Sequence, residues 1–393
     1  MMPQQEIKSI RSITAGCFFA YLIFGFADNI KGPTLPALLS DLHLNYSQAG
    51  TILLAPSAGI LVATILAGIL SDVVGKRSPM FVGSVSLFLG ILAYSYCSSL
   101  WSLTISMFAL GFGFGCLHIG ANAIIVDLHQ QKGRFLNLLH FFHGLGSMIA
   151  PAYVWLVFTA HLTWRHVYRF SLPLVVLLFL YFLIFKYPKT AGGDLGFNFN
   201  NIRSAVSTSR MGLLYFLFAL SVATEVGLAA WLVEFLQQAK YRSSGSSRIF
   251  FLVYFAAVTL GRLVASFVVQ RVGYLKTILI GLVTSIVCIT LGIFGPLILV
   301  LLLIVTGFFF ATVLPTTAAE VSEIHSANRG TILGLLFAFG AVGGMLGPKL
   351  IGQCSYWWGI KLGFSVLLLF CFAMLAGLLI LMKKSVNGKT ALA

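Results

Sequence analysis

The chain has 393 residues, of which 59% are hydrophobic and only 9% charged, with a formal net charge of +15 and a mean hydropathy of +0.98. Soluble chains carry about 25% charged residues, so this one cannot dissolve as a globule and its surface must face lipid. A large soluble domain, a single anchor on a globular enzyme and a soluble nucleic-acid binder are all excluded.

The N-terminal stretch MMPQQEIKSIRS is polar and basic, and no small-residue cleavage site follows the first apolar run. It reads as a cytoplasmic leader to a retained span. Twelve apolar runs follow, at about 13–39, 47–71, 79–98, 101–126, 136–160, 167–185, 211–238, 247–270, 275–294, 296–319, 330–354 and 361–382. Only helices and closed barrels cross lipid, and these runs do not alternate apolar with polar residues, so they predict transmembrane helices. Pro33, Pro36, Pro151, Pro315 and Pro348 fall inside them and mark expected kinks. The longest polar gap, 187–210, predicts a cytoplasmic linker between a six-helix bundle at 1–186 and another at 211–393.

Charge sets the expected orientation. With the N-terminus inside, the cytoplasmic segments hold sixteen Lys and Arg and the outer segments six. Lys and Arg collect on cytoplasmic loops, so both termini are expected in the cytoplasm of a multi-pass protein of the plasma (inner) membrane. All six cysteines sit in apolar runs with no CxxC or Cys/His metal spacing, and are read as thiols of the core or lipid face.

The two halves repeat. GRFLNLLHFFHGLGSMIAP, from Gly133, lies over GTILGLLFAFGAVGGMLGP, from Gly330, at an offset of 197 with eight of nineteen positions identical. Asp28 falls on Glu225 at the same offset, and Gly111 on Gly307 at 196. Two parallel six-helix repeats are the plan of a secondary transporter with its site near the midplane. After the second span comes GILSDVVGKRSPM, containing Gly68, Asp72, Gly75, Lys76 and Arg77. It resembles the G-x-L-x-D-x-x-G-[KR]-[KR] loop of the major facilitator superfamily. The second half keeps a worn copy, SFVVQRVG, ending at Gly273, without the acid. The resemblance implies an all-α membrane fold of two pseudosymmetric bundles, alternating access, and a gating role for this loop. Glycines there are expected to allow close helix approach and a tight turn. Asp127 and Arg134, flanking the loop after the fourth span, are assigned to the gate with it.

A closer resemblance lies in GFADNIKGPTLPALL of the first span, GFGCLHIGANAII of the fourth and the repeat segment of the fifth, which look like the fucose permease group. The fifth span and ATEVGLAAWLVEF of the seventh also resemble the sodium-dependent glucose transporter-like branch. In the permease group an acid precedes proline in the first helix and another sits in the fourth. Here those positions are Gly32 and His118.

Ionisable groups inside a span are expensive and are functional candidates by default. Asp28 and Glu225, at repeat-related positions, are the expected proton-coupling pair. Glu225 has no base near it in its own helix. Asn29, Lys31, His118, Asn122, His140 and His143 are expected to bind substrate, with Trp231 stacking on a ring. Arg262 and Lys349 are read as gate or packing residues. The histidines of spans four and five invite a metal, but no second-half Cys/His partner matches them, so hydrogen bonding is expected and neither metal nor other cofactor is implied. No nucleophile–base pair, phosphate loop or redox motif points to an enzyme. The expected activity is uptake of a small polar solute, a monosaccharide, by H⁺ symport. The alternatives are a drug/H⁺ antiporter exporting amphipathic compounds, or a uniporter. The partners are then the solute, a coupling cation (H⁺ before Na⁺) and the lipid bilayer, with no nucleic acid and a monomeric chain.

Overall fold

The computed structural model describes residues 4–75, 77–129, 132–184, 209–324 and 329–390. The described residues hold twelve helical stretches long and apolar enough to cross a membrane, from Ser9–Leu42 to Ile360–Lys383. The linker expected at 187–210 lies almost wholly outside the described residues, as does Lys76.

In the first half the helices are α1 (Gln4–Asn29), α2 (Lys31–Leu42), α3 (Tyr46–Val73), α4 (Arg77–Tyr96), α5 (Leu100–Leu128), α6 (Lys132–Thr159) and α7 (Trp164–Ile184). The second half has α8 (Ser209–Gln238), α9 (Ser244–Val272), α10 (Tyr274–Phe294), α11 (Leu302–Phe310), α12 (Val313–Ile324), α13 (Arg329–Trp358), α14 (Ile360–Phe364) and α15 (Val366–Thr390). The chain divides into two compact units, one of residues 1–44 and 51–196, the other of 45–50 and 197–393.

Among the described residues three spans are broken, at Ile30, at Ala311 and Thr312, and at Ser365, and proline accounts for the first two. Proline lacks the N–H that would bond the carbonyl four residues earlier. Pro33 leaves the Asn29 carbonyl without its helical donor, and α1 ends at Asn29. Pro315 does the same to Ala311, and α11 ends at Phe310 just before it. Pro36, Pro56, Pro151, Pro173 and Pro348 lie inside continuous helices.

Packing within each unit repeats. In the first unit α1 packs on α6, α4 on α5 and α4 on α7; in the second, α8 packs on α13, α10 on α11 and α10 on α15. Glycine sets the closest approaches. A Cβ on Gly146 of α6 would collide with the Leu22 carbonyl of α1, and a Cβ on Gly343 of α13 with the Ala219 carbonyl of α8. Both partners obey the offset of 197, so the sequence repeat is also a repeat of contacts.

Candidate functional site

In the first unit, α1, α5 and α6 bring their polar side chains together around two rings of α1. Tyr21 is fully buried, and its hydroxyl accepts from the Asn122 side-chain amide. The same amide nitrogen donates to the His118 carbonyl at 2.7 Å, one turn back on α5. The Tyr21 ring centre lies 5.7 Å from those of His118 and His140, and the two imidazoles are 6.4 Å apart. Phe24, one turn along α1, stacks on Phe114 at 4.6 Å and meets His143 edge-on at 4.7 Å. Spacing puts these residues on facing stripes: Tyr21 and Phe24 at i, i+3, His118 and Asn122 at i, i+4, His140 and His143 at i, i+3. His140 is exposed, while His118, Asn122 and His143 are half-buried, so all four keep surface that a solute could reach. Among the described residues no group of three His, Cys, Asp or Glu side chains is placed to hold a metal.

The break after α1 carries an ion pair. Lys31, at the start of α2, donates to Asp28, the penultimate residue of α1; their side chains are 11% and 24% exposed. Asn29 turns the other way. It is buried, and its amide donates to the Gly25 carbonyl at 2.9 Å and to the Ser147 hydroxyl at 3.0 Å. It ties α1 to α6 and is 9% exposed.

In the second unit, Arg262 of α9 donates to Glu225 of α8 at 2.7 Å. The base missing from the Glu225 helix therefore comes from its neighbour. The other carboxylate oxygen is buried without a hydrogen-bond partner. Trp231, expected to stack on a ring, is wholly buried, and its indole N–H donates to the Pro348 carbonyl at 3.1 Å. It is a packing residue in this conformation. Three residues on, Glu234 is only 3% exposed and accepts from the Tyr46 hydroxyl at 3.0 Å. Ser47 donates to Gln353 at 2.7 Å, and Lys349 donates to the Ser47 carbonyl at 3.2 Å. Glu234 was missed in the sequence, although an acid inside an apolar run is the same signal that singles out Glu225.

The loop between α3 and α4 shows what two of its residues do. Gly75 has φ +108°, a left-handed value that L side chains rarely adopt, and Gly273, its counterpart between α9 and α10, has φ +90°. Arg77 donates to the Phe182 carbonyl and, at 2.8 Å, to the Leu183 carbonyl. It thus caps the C-terminal carbonyls of α7, where a cation is favoured by the helix dipole. Gly68 does not serve close approach: a Cβ there would meet nothing within 4 Å, because this end of α3 is largely exposed. The side chains of Asp72 and Arg134 lie outside the described residues, and Asp127 is exposed at the end of α5.

The Major Facilitator Superfamily model matches residues 17–247 and 211–392, nearly the whole chain. The chain belongs to the Major Facilitator Superfamily. Sodium-dependent glucose transporter 1A of Mus musculus is 30% identical over 34% of this chain and 32% of its own length. The gentisate transporter of Corynebacterium glutamicum is 24% identical over 89% of this chain and 82% of its own. The crystal structure of a D-xylose-proton symporter superposes with a TM-score of 0.72 at 15% identity, covering 92% of this chain and 97% of that one. This superfamily member is accordingly a multi-pass membrane protein, and its class of activity is secondary transport of a small solute.

Proposed function

We propose that the protein takes up a monosaccharide by alternating access, coupled to H⁺. The observation that carries this reading is the cluster of Asn122, His118, His140 and His143 around Tyr21 and Phe24. Amides and imidazoles can each donate and accept, which suits the hydroxyls of a sugar, and flat rings suit its apolar face. The partial likeness to a glucose transporter and the shared fold with a xylose symporter support the same class.

Coupling rests on two carboxylates at repeat-related positions, each held by a cation: Asp28 by Lys31 and Glu225 by Arg262. Adding a proton to either carboxylate cancels its charge and weakens the ion pair. Lys31 is then available to other partners at the break in the first span, and α9 is less firmly tied to α8. Charge, helix position and proton uptake are thereby linked within each unit. Asp72, Gly75, Lys76, Arg77, Asp127 and Arg134 are the proposed gating segments, with both termini in the cytoplasm.

Counterflow of labelled hexoses in proteoliposomes tests the substrate class. Accelerated uptake of labelled hexose into liposomes preloaded with the unlabelled sugar is the expected result. No hexose signal, together with efflux of an amphipathic dye, would replace this reading with the antiporter.

A further inference from the structure

A cavity of about 350 Å³ lies where the first turns of α1 meet the end of α5 and the start of α6. Ile10, Arg11, Thr14, Ala15, Phe18, His129 and Phe135 line it. None of them belongs to the cluster around Tyr21.

Its polar groups largely satisfy one another. The Thr14 hydroxyl donates to the Ile10 carbonyl at 2.8 Å, so its oxygen accepts from His129 Nε2 at 2.7 Å. That assigns the Nε2–H tautomer to His129, whose ring stacks on Phe135 with centres 3.6 Å apart. Burial lowers the His129 pKa from its ordinary value. The wall is therefore mainly apolar, and Arg11 is its one charged lining residue.

Position adds the rest. The lining residues fall near the ends of the apolar stretches Ser9–Leu42, Leu100–Leu128 and Leu138–Thr159, which puts the cavity toward one end of these helices. From Ile10 to Phe18, α1 climbs about 12 Å, enough to run from the headgroup layer into the upper acyl region. Basic pockets at a membrane boundary attract anionic headgroups.

We propose that this cavity seats an anionic phospholipid of the adjoining leaflet, its phosphate against Arg11 and its upper acyl chain among Ile10, Phe18 and Phe135. A free inorganic anion would find a single cationic side chain and a greasy wall. An acyl chain turns that wall into affinity.

The test uses the purified full-length chain in detergent, with thermal unfolding followed during titration of dioleoyl phosphatidylglycerol, dioleoyl phosphatidylcholine or inorganic phosphate. Phosphatidylglycerol should raise the midpoint saturably, and the other two should not. Arg11→Gln should weaken half-saturation about fivefold and Arg11→Lys should largely restore it. Ala15→Trp, which fills the cavity, should abolish the phosphatidylglycerol increment. A phosphatidylglycerol carrying a diazirine in its acyl chain should label peptides containing residues 10–18 and 129–135. Equal stabilisation by phosphatidylcholine, an unchanged titration for Arg11→Gln, or labelling confined to other peptides would overturn the proposal. A full shift with phosphate alone would overturn the lipid in favour of a free anion.

Discussion

Adding a single methyl group should separate glycines that hold helices together from glycines that do not. Replacing Gly by Ala inside a helix contributes about 1 kcal/mol through backbone entropy. At Gly212 of α8 a Cβ meets nothing within 4 Å, so Gly212→Ala should be neutral or stabilising by up to that amount. At Gly146 and Gly343 the same Cβ runs into a backbone carbonyl of the facing helix, which cannot rotate away as a side chain could. Forced overpacking costs about 1–3 kcal/mol, and a backbone obstacle puts these sites near the upper end. Gly146→Ala and Gly343→Ala should each therefore lie about 3 kcal/mol below Gly212→Ala. For units of this size that is a spread of roughly 6–12 °C in Tm. Thermal unfolding of the three variants in detergent reads it directly, and size-exclusion chromatography confirms that each is folded at the start. Gly146→Ala as stable as Gly212→Ala would refute the packing account. A large loss at Gly146 with none at Gly343 would refute the claim that the repeat is one of contacts.

Asp28→Asn should destabilise the protein by about 2–4 kcal/mol, because it leaves the mostly buried Lys31 ammonium without its partner. Asp28→Asn combined with Lys31→Met should recover most of that loss in the same unfolding assay, whereas additive losses would show that the pair does not act as a unit. Tyr46→Phe removes a donor from the buried Glu234 carboxylate and should cost about 1–3 kcal/mol. Adding Glu234→Leu should return stability to within about 1 kcal/mol of the parent, and a further drop would contradict the arrangement.

Much of this protein can be read before any fold is known, because a bilayer allows few choices. Apolar runs of about 20 residues become spanning helices, and the offset of 197 that aligns Gly146 with Gly343 reappears as the same close approach in both units. The breaks at Asn29 and Ala311 follow from the prolines four residues later. Side-chain direction was far less legible. In α1 and α8 apolar residues occur all round the helix, so no stripe says which face is packed. Asn29 and Trp231 accordingly look like ligands in the sequence but are buried in helix packing. Partners from other helices were equally hidden. Glu225 finds Arg262, 37 positions away, and Glu234 finds Tyr46, 188 away. No spacing rule within a helix reaches either. Arg77 was recognised by its loop motif, but its task of capping α7 depends on where α7 ends in space.

The central claim is that proton movement accompanies sugar movement and passes through Glu225. Proteoliposomes loaded with the pH dye pyranine test it most directly. On addition of a transported hexose, the wild-type protein should acidify the lumen as sugar enters. Glu225→Gln, which retains size and a hydrogen-bonding amide opposite Arg262, should still exchange labelled sugar down its gradient but leave the dye signal flat. Acidification by Glu225→Gln with wild-type stoichiometry would contradict the account.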